Sequence, residues 1–168
     1  MKSALCLGIL FLIALLGVGW LMRSIAQEKW PHAAAINFGM KPTYAPATVR
    51  ALIDEHPEDA ARYVFPGLFP LDLLFLVCLG GTIAMFSLGF ADGGSPDKLW
   101  LVLLLPVGYM MADLAENVAL ARMLGGGTNG VTGATVTLTQ AFTIVKQVLV
   151  VAGLCQVIYL FAGWVMRG

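Results

Sequence analysis

The sequence predicts an all-α integral membrane protein: an antiparallel four-helix bundle with an interfacial loop and short helices between its first two spans. Three observations predict it. The 168-residue chain is 59% hydrophobic and only 12% charged, whereas soluble domains carry about a quarter charged residues. Its mean hydropathy is +0.84. Four apolar stretches, near 4–22, 67–90, 99–124 and 142–166, approach or exceed the ~20 helical residues that cross a bilayer core of about 30 Å. A helix satisfies its own backbone polar groups, which lipid cannot do. The chain has room for one domain, 1–168, with 23–66 as its extramembrane cap.

The first stretch follows Lys2 and precedes Ser24-Ile25-Ala26, a pattern resembling a secretory signal. Its apolar run is longer than the usual 7–15 residues, which predicts a retained anchor. Ala4 and Gly8 stand at the spacing of small residues that bring helices close. The cap carries Trp30, Phe38, Tyr44, Tyr63 and Phe65, aromatic residues suited to a membrane interface. Within it, TVRALIDEH reads as a helix with Thr48 as N-cap, and Pro57 opens a second short helix with Glu58 and Asp59 at its positive end.

The second span begins FPGLFPLDLLF, which places Asp72 about one turn inside. Gly80-Gly81 allows close backbone approach or a bend. ADGGSPDK over 91–98 reads as a polar turn that makes spans two and three antiparallel neighbours. Pro106 removes one backbone hydrogen bond from span three. GGGTNGVTG over 125–133 reads as a flexible loop; no strand precedes it and no Gly-Lys-Ser/Thr follows, so it is not a phosphate cradle.

Two topological signals conflict. Arg23, Lys29, Lys41, Arg50, Arg62 and Arg122 outnumber Lys2, Lys98 and Arg167 on the other side, which would put the cap in the cytoplasm. The Lys-led amino terminus argues the reverse.

The charges balance at net zero, so no basic field points to nucleic acid. Cys6, Cys78 and Cys155 each lie alone in an apolar run, with no C-x-x-C for thiol oxidation or metal binding. No metal site is expected. His56, among Asp54, Glu55, Glu58 and Asp59, reads as part of a solvated helix face, and His32 as an interfacial loop residue. Ser87 and Ser95 have no histidine in sight to form a hydrolase triad.

The residues that demand explanation lie in span three. Asp113, Glu116 and Asn117 stand at i, i+3 and i+4 and share one helix face, which Tyr109 extends by a turn. On span four, Thr139, Thr143, Lys146 and Gln147 form another stripe, provided the helix begins before Phe142. Asp113 precedes Arg122 by nine residues and Lys146 follows Thr137 by nine, so each lies about 13 Å from the shared end at about 1.5 Å per residue. This predicts an Asp113–Lys146 ion pair at one level and a Glu116–Thr143 contact at the next. Asp72 enters from the same side and should join them. Ionisable residues at membrane depth cost about 2.5–3.5 kcal/mol each even on insertion scales, so they face the interior and pair. Gln156 is off this stripe and reads as a helix–helix hydrogen-bonding residue.

FPLDLLF at 69–75, PVGYMMADLAEN at 106–117 and FTIVK at 142–146 resemble a group of small bacterial four-span membrane proteins. Those proteins carry P-x-D on span two, D-x-x-E-N on span three and F-T-x-x-K on span four. The resemblance covers the last hundred residues and implies an architecture and a bacterial inner-membrane location, with no mechanism attached.

Three functions fit these residues. Asp72, Tyr109, Asp113, Glu116, Asn117, Thr143, Lys146 and Gln147 form a site that binds, and could transform, a lipid-like or other small lipophilic molecule; or they lock the helices of an accessory or assembly subunit in a larger membrane complex; or they serve a proton- or cation-coupled carrier. The expected surroundings are the lipid bilayer, a lipophilic ligand, and a homo-oligomer or larger membrane complex.

Overall fold

The computed structural model describes residues 2–91 and 96–166, with side chains over 3–91 and 99–166. These residues form helices and no strands. Helix α1 spans Lys2–Lys29, and the cap holds α2 (Pro31–Ile36), α3 (Pro46–Glu55) and α4 (Pro57–Arg62). An irregular wound segment, Tyr63–Asp72, leads into α5 (Leu73–Phe90). Helix α6 (Pro96–Gly125), the single turn α7 (Gly127–Gly130) and α8 (Gly133–Val165) complete the chain. Four helical stretches are long and apolar enough to cross a membrane.

Side-chain neighbours fix the topology. Gly89 meets Leu5 and Gly81 meets Phe11, so α1 and α5 run antiparallel. Asp72 pairs with Asn117 while Gly80 faces Met110, which makes α5 and α6 antiparallel. Asp113 pairs with Lys146, and Val102 O accepts from Gln156, so α6 and α8 are antiparallel too. Ile83 against Gly153 and Ser87 against Gln156 set α5 and α8 parallel. Helices α5, α6 and α8 form the packed core, and α1 lies outside it against α5. The glycines explain the close approach: a Cβ on Gly81 would sit 2.9 Å from the Phe11 ring, and one on Gly8 would sit 3.3 Å from Phe86.

Several boundaries differ from the sequence reading, each for a local reason. Helix α1 runs on to Lys29, because nothing after residue 22 breaks it. Helix α3 starts at Pro46 with Ala45 as its cap, so Thr48 lies inside the helix rather than capping it; proline suits a first helical position, where its missing N–H costs nothing. Phe65 and Phe69 are extended (φ −138° and −128°) because each precedes a proline whose ring crowds the helical conformation. Regular α5 therefore starts at Leu73, and Asp72 stands at its amino-terminal junction, not a turn inside. The loop over 125–133 contains the turn α7 and a capping box in which Thr132 and Thr135 exchange hydrogen bonds, launching α8 at Gly133. The polar turn read over 91–98 and its Ser95 lie largely outside the described residues.

The cap is more than a surface layer. Trp30, Phe38, Val49, Leu52 and Ala60 form a continuous apolar core with Leu120, Met123 and Leu124 of α6 and with Val131 and Val136. Trp30 and Phe38 thus point inward, not to a lipid interface, because three short helices offer them apolar partners on all sides. Burying each contributes about 1.5–3 kcal/mol. Phe65, by contrast, is 70% exposed, as an interfacial residue would be.

Candidate functional site

The polar residues of span three fall on one face of α6 because they repeat at helical spacing, and α8 presents Thr139, Thr143 and Lys146 to that face. Lys146 Nζ donates to Asp113 Oδ1 at 2.6 Å and also contacts Glu116 Oε2. Thr143 donates a short hydrogen bond to Glu116 Oε1 and shares its proton with the Thr139 carbonyl. Tyr109 O–H donates to Asp113 Oδ2 at 3.2 Å. Asn117 Nδ2 donates to Asp72 Oδ2 at 2.7 Å, which ties α5 into the cluster. Asp113, Glu116 and Asn117 are 1–2% exposed, so the centre is dry on the α6 side. The Lys146 side chain keeps 12% of its surface.

These contacts make one charge centre from three helices. Three carboxylates, Asp72, Asp113 and Glu116, face one ammonium, and Lys146 reaches two of them. Asp72 is bonded by a neutral amide instead. Glu116 Oε2 is fully buried and has the Lys146 ammonium beside it, with no hydrogen bond of good geometry. The Asp113–Lys146 and Glu116–Thr143 contacts expected from the depth count are both present, and Asp72 joins the cluster through Asn117 from the amino-terminal junction of α5.

Gln147 does not. Its Nε2 donates to the Met40 carbonyl at 2.7 Å, outside the charge centre. Gln140, seven residues earlier on α8, donates to the Tyr44 carbonyl at 2.8 Å. Tyr44 O–H donates to Thr139 Oγ1 at 2.8 Å, and burial holds its phenol above the ordinary range against the lowering effect of that hydrogen bond. The backbone over 37–44 is therefore a strap laid along α8. At Gly39 it passes so close that a Cβ would sit 3.4 Å from Lys146 Nζ. Sequence reading missed this strap. Glycine, two carbonyl groups and a tyrosine read as generic loop composition, and nothing local says that they reach a helix a hundred residues away.

Two further polar groups lie elsewhere. Gln156 Nε2 bridges Ser87 Oγ (2.9 Å) and the Val102 carbonyl (2.8 Å), so it joins α5, α6 and α8 as its position off the stripe suggested. In the cap, Asp59 Oδ2 accepts from the His32 backbone (3.0 Å) and from its Nδ1 (2.9 Å), while the His32 ring stacks on His56 at 3.5 Å. His32 is thus a fixed residue of α2, and His56 has a partner rather than a freely solvated face. Stacked parallel rings aim their lone pairs side by side rather than toward one point. Among the described residues no group of three His, Cys, Asp or Glu side chains is placed to hold a metal ion.

Chemically, the α5–α6–α8 centre can accept hydrogen bonds or a proton through its carboxylates and can donate through Lys146, Asn117, Tyr109 and Thr143. No known protein family, curated protein or solved structure matches the chain.

Proposed function

We propose that the chain is a multi-pass protein of a bacterial inner membrane that binds the polar head of a small lipophilic molecule at the Asp113–Glu116–Lys146 centre. One observation carries this reading: two buried carboxylates, Asp113 and Glu116, share a single ammonium, and a third, the half-buried Asp72, is tied in beside them through Asn117. Such a centre gains from a further hydrogen-bond donor or proton, because uncompensated charge buried away from water is expensive. Asp113 and Glu116 would accept from hydroxyl or amine groups of the head, and Lys146 and Asn117 would orient its oxygens. Should the molecule be transformed as well as bound, the same two carboxyl groups are the candidate acid and base. The partial exposure of Lys146, beside the strap at Gly39, marks the side from which a head would arrive.

The second reading is a structural lock within an accessory subunit of a larger complex. It is favoured by the fact that Lys146, Asn117, Tyr109 and Thr143 all find partners within the bundle itself.

The experiment is Asp113→Asn in full-length protein, with small molecules extracted from the purified protein and identified by mass spectrometry. A lipophilic molecule should co-purify with the parent and be lost from the variant, with helicity and melting temperature retained. A parent that carries no such molecule, with a variant that only melts lower or releases a partner chain, would establish the lock instead.

A further inference from the structure

The strap has two sides. One lies on α8, and the other opens onto a groove of about 380 Å³ lined by Ala35, Ile36, Lys41, Thr43, Tyr44 and Thr48. We infer that this groove binds the phosphate-bearing headgroup of an anionic membrane lipid.

Its chemistry is the first reason. Lys41 supplies the one formal charge among the described lining residues, and Thr43 and Thr48 supply hydroxyl donors. An ammonium beside hydroxyl groups suits phosphate oxygens, which accept hydrogen bonds and carry negative charge. Ala35 and Ile36 form an apolar side against which a glycerol and the start of an acyl chain can lie.

Depth is the second reason. Phe90, Phe161 and Trp164 pack together at the end of the bundle remote from the cap, with Trp164 5.9 Å from Phe90. Such an aromatic group marks a membrane–water interface. Counting back along α8, a hydrocarbon core of about 30 Å takes up ~20 residues and ends near Ile144. Gln140 then lies roughly 6 Å beyond it, at about 1.5 Å per residue. Tyr44, held by Gln140, brings the groove to the headgroup layer.

The third reason is that the groove wall is fixed. Gln140, Gln147 and Thr139 hold the strap that carries Lys41, Thr43 and Tyr44, so a headgroup meets a formed surface rather than a loose loop. A free phosphate ion shares the chemistry but has no use for the apolar side.

The test is native mass spectrometry of the full-length protein titrated with phosphatidylglycerol or phosphatidylcholine of the same acyl chains. The parent should bind phosphatidylglycerol preferentially. Lys41→Gln should weaken that adduct by about fivefold, the worth of one basic residue at an anionic surface, while Lys41→Arg should preserve it. Lys29→Gln, which removes a lysine at the end of α1 outside the groove, should leave it intact. Equal binding by Lys41→Gln and the parent would overturn the assignment, as would an equal loss in Lys29→Gln. Displacement of the lipid by equimolar inorganic phosphate would overturn it in favour of a free anion. The groove lies outside the buried centre, so Asp113→Asn should keep the lipid adduct even as it tests the reading of that centre.

Discussion

Lys146 is the residue whose loss should matter most, because among the described residues it is the one cation that offsets two buried carboxylates. Removing one partner of a buried pair leaves the other charge uncompensated, which costs about 3–5 kcal/mol. Lys146→Met should therefore lower stability by that amount in detergent unfolding. Adding Asp113→Asn and Glu116→Gln to it should restore most of the loss, since neutral amides need no counter-ion. A Lys146→Met protein as stable as the parent would show that the ammonium does not hold the bundle together. Thr143 belongs to the same account. Its hydroxyl divides between Glu116 and the Thr139 carbonyl, so it joins two helices with one proton.

At the scale of elements, the strap over 37–44 is fastened to α8 through Gln140, Gln147 and Thr139, all on one side of that helix. The double variant Gln140→Leu, Gln147→Leu removes two side-chain hydrogen bonds worth about 1 kcal/mol each. Amide hydrogen exchange over 37–44 should quicken by roughly tenfold or more, while α6 and α8 keep their protection. Unchanged exchange in the strap would show that Phe38, buried in the cap core, holds it alone. These α8 contacts also show why a glutamine on a polar stripe need not join the buried cluster. Gln147 is next to Lys146 in sequence, yet one residue turns a helix by about 100°, and the carbonyl of Met40 lies on that side.

For the whole molecule, the unequal packing of the four spans has a consequence in lipid. Helix α1 touches the bundle through α5, and Trp20 on it is 71% exposed; Trp100 on α6 is 58% exposed, whereas Trp30 in the cap core is 3% exposed. In vesicles of brominated lipid, single-tryptophan variants should show strong quenching for Trp20 and Trp100 and little for Trp30. Quenching of Trp30 equal to that of Trp20 would mean that the cap opens to the bilayer.

Much of this fold was legible in the sequence because helices and lipid both act locally. Apolar length alone marks out the spans, and the i, i+3, i+4 spacing of Asp113, Glu116 and Asn117 puts them on one face whatever surrounds them. A short connection between antiparallel helices then sets Asp113 level with Lys146 by counting. The cap escaped such reasoning. Trp30 and Phe38 have the composition of interface residues, and only the convergence of α2, α3 and α4 on the ends of α6 and α8 turns them inward. Likewise, no period predicts that Tyr44 reaches Thr139, 95 positions away, or that His32 meets Asp59. The sequence by itself determined the class, the spans and the charge centre, since hydrophobicity and helical period are properties of neighbours in the chain. The tertiary structure alone decided the strap, the groove beside it and the side from which Lys146 can be reached, since those depend on where distant backbone comes to rest.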